Sequence, residues 1–368
     1  MLRATPPFRA DHVGSLLRPP YLKDARAQRE RGEITAPQLK EVEDRAIQEV
    51  IGKEESVGLQ GVTDGEFRRA FWHLDFLEEI SGVELYQAGQ SIEFRGGQAK
   101  VKGIKVTSKI QAGLHPMVEH FRFLKAHTGK TAKVTIPSPS VLHYRGGRKA
   151  VSESVYPSME EFYHDLGQAY RKIVGDFGVA GCQYLQLDEV SLTYLCDNDQ
   201  RQMLRSRGDE PDRLPGIYAD MINAAISGRT AEMRMTLHLC RGNFKSMWIA
   251  SGGYEPVADV LFNKINIDGY FMEWDTDRAG GFEPLRLVPK NKLVVLGLVT
   301  SKSGTLEDKD DLKRRIDEAG KFIDLDQLCL SPQCGFASSA EGNVLTEQEQ
   351  WAKLRRVVEV AGEVWGGK

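Results

Sequence analysis

The sequence predicts a single (β/α)8 barrel, an α/β fold, on three observations. Eight short β-branched runs recur along the chain, helix-forming segments alternate with them, and most of the runs stop at a residue able to do chemistry. Strands that alternate with helices form a parallel sheet, and eight such units close into a barrel. At 368 residues and 41% hydrophobic, the chain is long enough for one barrel or for two ordinary domains. No linker rich in proline, glycine and serine and no long charge block divides it, so residues 1–368 read as one domain. A doubly wound open sheet is the rival architecture. The first turn, Gly14-Ser15-Leu16-Leu17, lacks the G-x-G-x-x-G fingerprint of a nucleotide-binding sheet of that kind.

The predicted strands are read in order. They are His12 to Ser15, Gly61 to Glu66, Lys133 to Pro137 and Tyr184 to Glu189, then Met235 to Cys240, Gly269 to Glu273, Leu293 to Gly297 and Leu328 to Ser331. Between them lies helix grammar. Thr35 and Gln38 form a capping box with an early proline, opening a run with Leu39, Val42, Ala46 and Val50 at helical spacing. Ser158 with Glu161 opens a second, carrying Phe162, Leu166, Ile173 and Phe177. Thr305 with Asp308 gives a weaker box before Leu312 and Ile316, and Thr346 with Glu349 starts the last helix, with Leu354, Val357, Val358 and Ala361 inward.

Residues 82–109 break this rhythm. Val83 to Tyr86 and Ser91 to Phe94 alternate apolar and polar residues around Ala88-Gly89-Gln90, and Val101 to Val106 continue the alternation. The pattern predicts an inserted β-hairpin or small meander after the second strand, beside the barrel mouth.

Composition narrows the partners. Lys+Arg 49 against Asp+Glu 52 leaves a formal charge of -3 with no long basic run, which argues against nucleic acid. No stretch reaches the roughly 18 apolar residues of a membrane span, and the first residues lack the apolar core of a signal peptide. The reading is a cytoplasmic protein. The odd number of cysteines, five, does not fit a secreted disulfide framework. Cys182, Cys196 and Cys329 read as packing residues. Helix exteriors are compatible with a homo-oligomer but carry no signature of one.

His238 and Cys240 are the most informative pair. Residues i and i+2 of a strand share a side, so the two can grip one ion, and Cys334 follows in a glycine-flanked loop. One imidazole and two thiolates suit zinc and leave a fourth position open. The competing reading is a satisfied core pair. Thiolate ligands blunt the acidity needed to make hydroxide but suit the binding of an incoming thiol as thiolate, which points to alkyl transfer onto sulfur. Glu273, at the end of the next strand, is the best fourth ligand, or else a strand-end carboxylate paired with an arginine. Glu66 and Asp188 end two other strands and could serve as an acid/base pair, grip a substrate ammonium group, or form surface salt bridges. Ser15, beside Gly14, could present its hydroxyl and N–H to a carboxylate.

Taken together, these motifs resemble the catalytic C-terminal barrel of cobalamin-independent methionine synthase, within the group that includes uroporphyrinogen-decarboxylase-like barrels. His238-Leu239-Cys240 is similar to the family's H-x-C, Cys334-Gly335 to its final zinc cysteine, and Glu273 sits where its zinc glutamate belongs. Leu187-Asp188-Glu189 resembles its I-D-E, Asp64-Gly65-Glu66 its G-E segment, and Val13-Gly14-Ser15 its I-G-S turn. The resemblance implies zinc held by His238, Cys240, Glu273 and Cys334. It also implies homocysteine as acceptor, its amino group on Glu66 and Asp188 and its carboxylate at Val13 and Ser15.

Two departures stand out. The chain is too short to contain the second barrel-like half of the full-length synthase and is similar to the family's stand-alone core proteins. Where the family places a catalytic histidine, this sequence reads Val299-Thr300-Ser301-Lys302-Ser303, which puts Lys302 at that position. A lysine is a poorer proton shuttle near neutral pH unless burial lowers its pKa, and it could instead pair with an anionic donor. The donor is therefore left between a methyl-folate and a methylated corrinoid. The leading expectation is a zinc-dependent S-methyltransferase making methionine. The alternatives are alkyl transfer to another thiol, as in epoxyalkane–coenzyme M transferases, a metal-free decarboxylase of the uroporphyrinogen type, and a zinc-stabilised binding protein.

Overall fold

The computed structural model describes residues 3–87 and 91–366, so Ala88-Gly89-Gln90, the middle of the expected hairpin, lie outside the described residues. The strands are β1 (Gly61–Val62), β2 (Ser81–Tyr86), β3 (Ile92–Phe94), β4 (Gly97–Ala99), β5 (Gly103–Gln111), β6 (Thr131–Pro137), β7 (Tyr184–Asp188), β8 (Arg234–Leu239), β9 (Gly269–Glu273), β10 (Leu293–Val299) and β11 (Leu328–Pro332). Seven of them form one parallel sheet in the order β1-β6-β7-β8-β9-β10-β11, so each sheet strand lies beside the next in sequence. Helices fill the crossovers, an arrangement consistent with a TIM-like barrel.

The first expected strand is corrected. Residues 12–15 form no ladder, and among the described residues this stretch touches the sheet through one parallel bridge, Ala10 to Leu330. The reason is where its backbone groups go. Asp11 N–H donates to Leu330 O at 3.0 Å, but Val13 O accepts from the Gln186 side chain at 2.8 Å and Gly14 O from Thr63 Oγ1 at 2.7 Å. Leu16 N–H then reaches Gly65 O at 3.1 Å. Residues 9–16 thus meet both β11 and the turn after β1, mostly through side chains. The second expected strand is likewise shorter: β1 ends at Val62, and residues 63–66 form the turn that aims Glu66.

Helices form after all four expected starts, and two of the four expected capping boxes are present. Thr35 and Thr346 each close a reciprocal capping box, and Ser158 caps its helix through Glu160 N–H. In the helix Met159–Val179, Phe162, Leu166, Ile173 and Phe177 are all buried. A Phe162→Ala change would remove packing worth about 3–5 kcal/mol. The box expected at Thr305 is replaced: Asp308 caps Lys309–Ala319, accepting from Asp310 and Asp311 N–H, because a carboxylate near the helix start also meets its positive dipole end.

A large apolar core joins helices to the outside of the sheet, and a second, smaller cluster holds Phe8, Val13, Tyr184, Phe271, Val295 and Cys329. The segment after β1 forms two antiparallel pairs, β2 with β5 and β3 with β4. Arg95 N–H, in the β3–β4 turn, donates to Trp248 O at 2.7 Å, fastening that turn beside the loop after β8.

Candidate active site

The loops at the C-terminal ends of the parallel strands converge on one pocket. β8 delivers His238 and, one residue past its end, Cys240; the loop after β11 delivers Cys334. Their ligand-capable atoms lie within 4.8 Å of one another, and all three residues are buried. Tetrahedral zinc with Zn–S bonds of about 2.3 Å sets its sulfurs roughly 3.8 Å apart, so this donor set fits the ion after little movement. Cys182, Cys196 and Cys329 are buried free thiols, away from this cluster.

The electrostatics of the trio are those of a proton-poor thiol site. The Cys334 thiol donates to Cys240, which drives the Cys240 pKa far down and, with burial, the Cys334 pKa far up. Burial pulls the His238 imidazole down, but the Cys240 charge and the hydrogen bond with Asp188 outweigh it and lift it to about 10. Asp188 Oδ1 lies 3.2 Å from His238 Nδ1 and accepts from Gln186 Nε2 at 2.8 Å. A carboxylate that orients an imidazole in this way is the usual second partner of a metal-binding histidine.

Glu273 stands apart from the trio. Its carboxylate is fully buried, accepts from Arg241 N–H at 2.7 Å and pairs with Arg278. Burial alone would raise its pKa, but Lys302, Arg241 and Arg278 hold it down to about 2. The structure therefore brings His238, Cys240 and Cys334 together and engages Glu273 with arginines, the second of its two sequence readings. Both cysteines still feel the Glu273 charge. The Lys302 ammonium is buried with no hydrogen-bond partner among the described residues, and its charge acts on Glu273 and Cys334.

On the opposite wall, Glu66 adopts φ 60°, a left-handed conformation that a non-glycine residue seldom takes. Its Oε1 accepts from Thr135 at 2.7 Å and lies 3.4 Å from Arg69, while Oε2 is buried without a hydrogen-bond partner among the described residues. Burial pushes the Glu66 pKa up, and Asp188 adds to that push against Arg69. Ser15 reaches the same pocket because Gly335 leaves room: a Cβ on Gly335 would lie 1.9 Å from Ser15 Oγ. Val13, Ser15, Glu66, Asp188, His238, Cys240 and Cys334 all line this pocket, whose cavity is about 50 Å³.

The sequence reading missed much of the pocket wall. Phe71, Trp72, Phe94 and Phe244 form an aromatic rim, with Phe244 5.4 Å from Phe94 and 6.4 Å from Phe71 between ring centres. Asn243 donates to Gly335 O at 2.8 Å and leaves its own Oδ1 unpartnered. Arg145 also lines the pocket. These residues sit in loops or at the ends of short elements, where no periodicity marks them. The only signal was the aromatic density of Phe71-Trp72 just after Glu66.

Comparisons with known proteins agree on one family. The family model described as cobalamin-independent synthase, catalytic domain, matches residues 8–363. The chain is 50% identical over 365 residues to the uncharacterized protein YxjG of Bacillus subtilis, covering 99% of this chain and 96% of that one. A crystal structure from Listeria monocytogenes, provisionally described as a vitamin-B12-independent methionine synthase, is 41% identical with a TM-score of 0.81 and covers 99% of this chain and 100% of its own. A B12-independent methionine synthase from a Shewanella species, solved with selenomethionine, has a TM-score of 0.71 over 97% of each chain. At 19% identity that likeness speaks to the fold alone.

Proposed function

We propose that this chain, which belongs to the family of cobalamin-independent synthase catalytic domains, transfers a methyl group to the thiol of homocysteine and releases methionine. It is a methyltransferase of the methionine-synthase type. The observation that carries the finer reading is the buried His238–Cys240–Cys334 trio at the floor of a pocket whose walls hold Ser15, Glu66 and Asp188. The reading takes residues 1–368 as one (β/α)8 barrel domain in which residues 9–16 fill the eighth place. It places the enzyme in the cytoplasm, where such thiols stay reduced.

His238, Cys240 and Cys334 would hold zinc, with Glu273 completing the set by releasing Arg278. Zinc in that donor set supplies stabilisation of the acceptor sulfur as thiolate near neutral pH. The remaining work belongs to the protein's own side chains. The free Glu66 Oε2, with Asp188, receives the acceptor's ammonium group, which answers the one carboxylate oxygen left unpaired on that wall. Ser15, with Val13, holds the carboxylate. The thiol proton passes to solvent when the acceptor binds. The aromatic rim then excludes water while the new sulfur–carbon bond forms and the donor's bond to the methyl breaks, its electron pair leaving with the donor. Lys302 offers a fixed positive charge to the departing donor, a methyl-folate or a methylated corrinoid.

Metal analysis of protein purified without chelator tests the reading. Native protein should carry about one zinc per chain and the Cys240→Ser and Cys334→Ser variants almost none. Homocysteine should release a proton on binding and be converted to methionine by native protein given a methyl donor. A native preparation free of metal and indifferent to homocysteine would overturn it.

A further inference from the structure

The two carboxylate oxygens of Glu273 are held in different ways. Oε2 accepts from the Arg241 N–H at 2.7 Å, and Arg241 directly follows Cys240, so this oxygen is pinned to the backbone of the thiol cluster. Oε1 pairs with the guanidinium of Arg278, a side chain that can turn. Asp275 stands beside the same guanidinium, its Oδ1 3.2 Å from Nη2. The Asp275 side chain is 1% exposed, and its Oδ2 has no hydrogen-bond partner among the described residues. Arg278 Nε is likewise buried without one. One guanidinium thus lies between two buried carboxylates, with a free acceptor on Asp275 and a free donor of its own. Lys302 also acts on Glu273 by its charge, but Arg278 is the cation whose guanidinium hydrogen-bonds to it.

The backbone around Arg278 does not share that freedom. Its short 3-10 turn, Asp277–Ala279, ends at Gly280, where a Cβ would lie 2.7 Å from Gly253 Cα. Arg278 O accepts from Gly252 N–H at 2.9 Å, and Ala279 O accepts from the Arg241 guanidinium at 3.4 Å. The Trp248 ring, 5.1 Å from the guanidinium carbon, bounds another side. With the main chain fixed, what can change is the side chain's choice of carboxylate. A guanidinium carries its donors in a planar fork, so it can leave one carboxylate for another by turning.

We propose that Arg278 and Asp275 are positioning residues that make Glu273 a detachable metal ligand. The inference rests on the function proposed above and concerns how the fourth position of its metal site opens. A zinc site closed by four protein ligands is structural, and chemistry needs one position to open. A carboxylate that leaves an ion inside a protein needs a cation to receive it, and Arg278 receives Glu273 Oε1. When Glu273 turns towards the cysteines, the guanidinium needs an acceptor in exchange, and Asp275 Oδ2 is that acceptor. Oε2 stays on the Arg241 N–H throughout, so the exchange is a rotation about one fixed oxygen.

The test measures zinc affinity by competition with a chromophoric chelator in native protein, Arg278→Gln, Arg278→Lys and Asp275→Asn, each repeated in a Glu273→Gln background. Arg278→Gln should tighten zinc roughly tenfold, because Glu273 loses the partner that competes with the ion. Asp275→Asn should weaken it by a similar factor, because the guanidinium loses its second acceptor. Arg278→Lys keeps the charge without the fork. It should tighten zinc less, and it serves if the glutamine variant does not fold. Both shifts should vanish beside Glu273→Gln, whereas a long-range effect of charge would survive there. In cobalt-substituted protein, read by its visible spectrum, homocysteine should bind more weakly to Arg278→Gln, since the displaced carboxylate has no guanidinium to return to. Equal affinities in all variants, shifts of one sign, or shifts that persist beside Glu273→Gln would overturn the exchange and leave the thiol chemistry standing. Native protein that takes up neither zinc nor cobalt would instead sink the function proposed above.

Discussion

A buried ion pair low in the sheet and two buried charges at the mouth, which do not pair with each other, are finished differently. Low in the sheet, Lys133 and Asp11 are both fully buried and 3.3 Å apart. Asp11 Oδ2 also accepts from Phe8 N–H at 3.0 Å and Tyr184 OH at 2.8 Å. Lys133 donates to His12 O and lies 4.0 Å over the Phe271 ring. At the mouth, among the described residues, Glu66 keeps one carboxylate oxygen without a hydrogen-bond partner and Lys302 keeps its ammonium without one. The low pair has what burial of charge demands, which is a partner for each polar atom. The mouth leaves polar atoms waiting, and atoms left waiting in a folded protein mark where something else is meant to bind.

Mutations should separate the two kinds of burial. The largest effect is expected low in the sheet: Lys133→Met leaves the Asp11 carboxylate buried and unpaired, at a cost of about 3–5 kcal/mol. It should shift the denaturant midpoint while the surviving folded fraction keeps its homocysteine affinity. At the mouth the balance reverses. Glu66→Gln should change stability by less than about 1 kcal/mol yet raise the homocysteine KM by roughly tenfold to a hundredfold, with kcat less affected. A large loss of stability with an unchanged KM would erase the distinction. The last effect, read as a pH slope, belongs to a buried side chain outside both groups. His115 packs against Phe76 at 4.2 Å, and burial lowers its pKa from 6.5 to about 4. An imidazole with a depressed folded pKa adds stability above the unfolded value, and that stability is lost as pH falls from 6.5 towards 4. The slope is at most about 1.4 kcal/mol per pH unit. His115→Gln should flatten the pH dependence of stability in that window, and a slope unchanged by it would assign the acid sensitivity to other groups.

How much of this could be read in the sequence depended on whether a feature is local. β6 to β11 and the helices opened near Ser158, Thr305 and Thr346 announce themselves by composition and caps, whereas the helices between β7 and β9 went unread; the ends of β7, β8 and β9 were located within a residue or two. His238, Cys240 and Cys334 followed from those strand ends, because a residue at the end of a parallel strand has a known direction. The first strand failed for the opposite reason. Its hydrogen bonds go to the side chains of Gln186 and Thr63, which no local pattern encodes. Glu273 illustrates a subtler limit. Its position was read correctly, but its partner, Arg278, comes from a short 3-10 turn that packing alone puts there. Arg145 and the aromatic rim were invisible because they arrive from different elements, Arg145 from the helix Ser140–Gly146, Phe94 from β3, Phe71-Trp72 and Phe244 from loops, and take their meaning from one another.

The fit of Gly335 against Ser15 has a consequence for how the protein comes into being. The Ala337 N–H reaches the Ser15 hydroxyl at 3.4 Å across 322 positions of the chain, and Gly335 makes that meeting sterically allowed. Ser15 and the loop after β11 therefore face the same small space. On the ribosome, the pocket stays unfinished until the loop after β11 has emerged, and Cys240 waits for Cys334 for 94 residues of synthesis. Long-range closure of this kind is slow, and no nascent chain that ends before Cys334 can hold the thiol cluster whole.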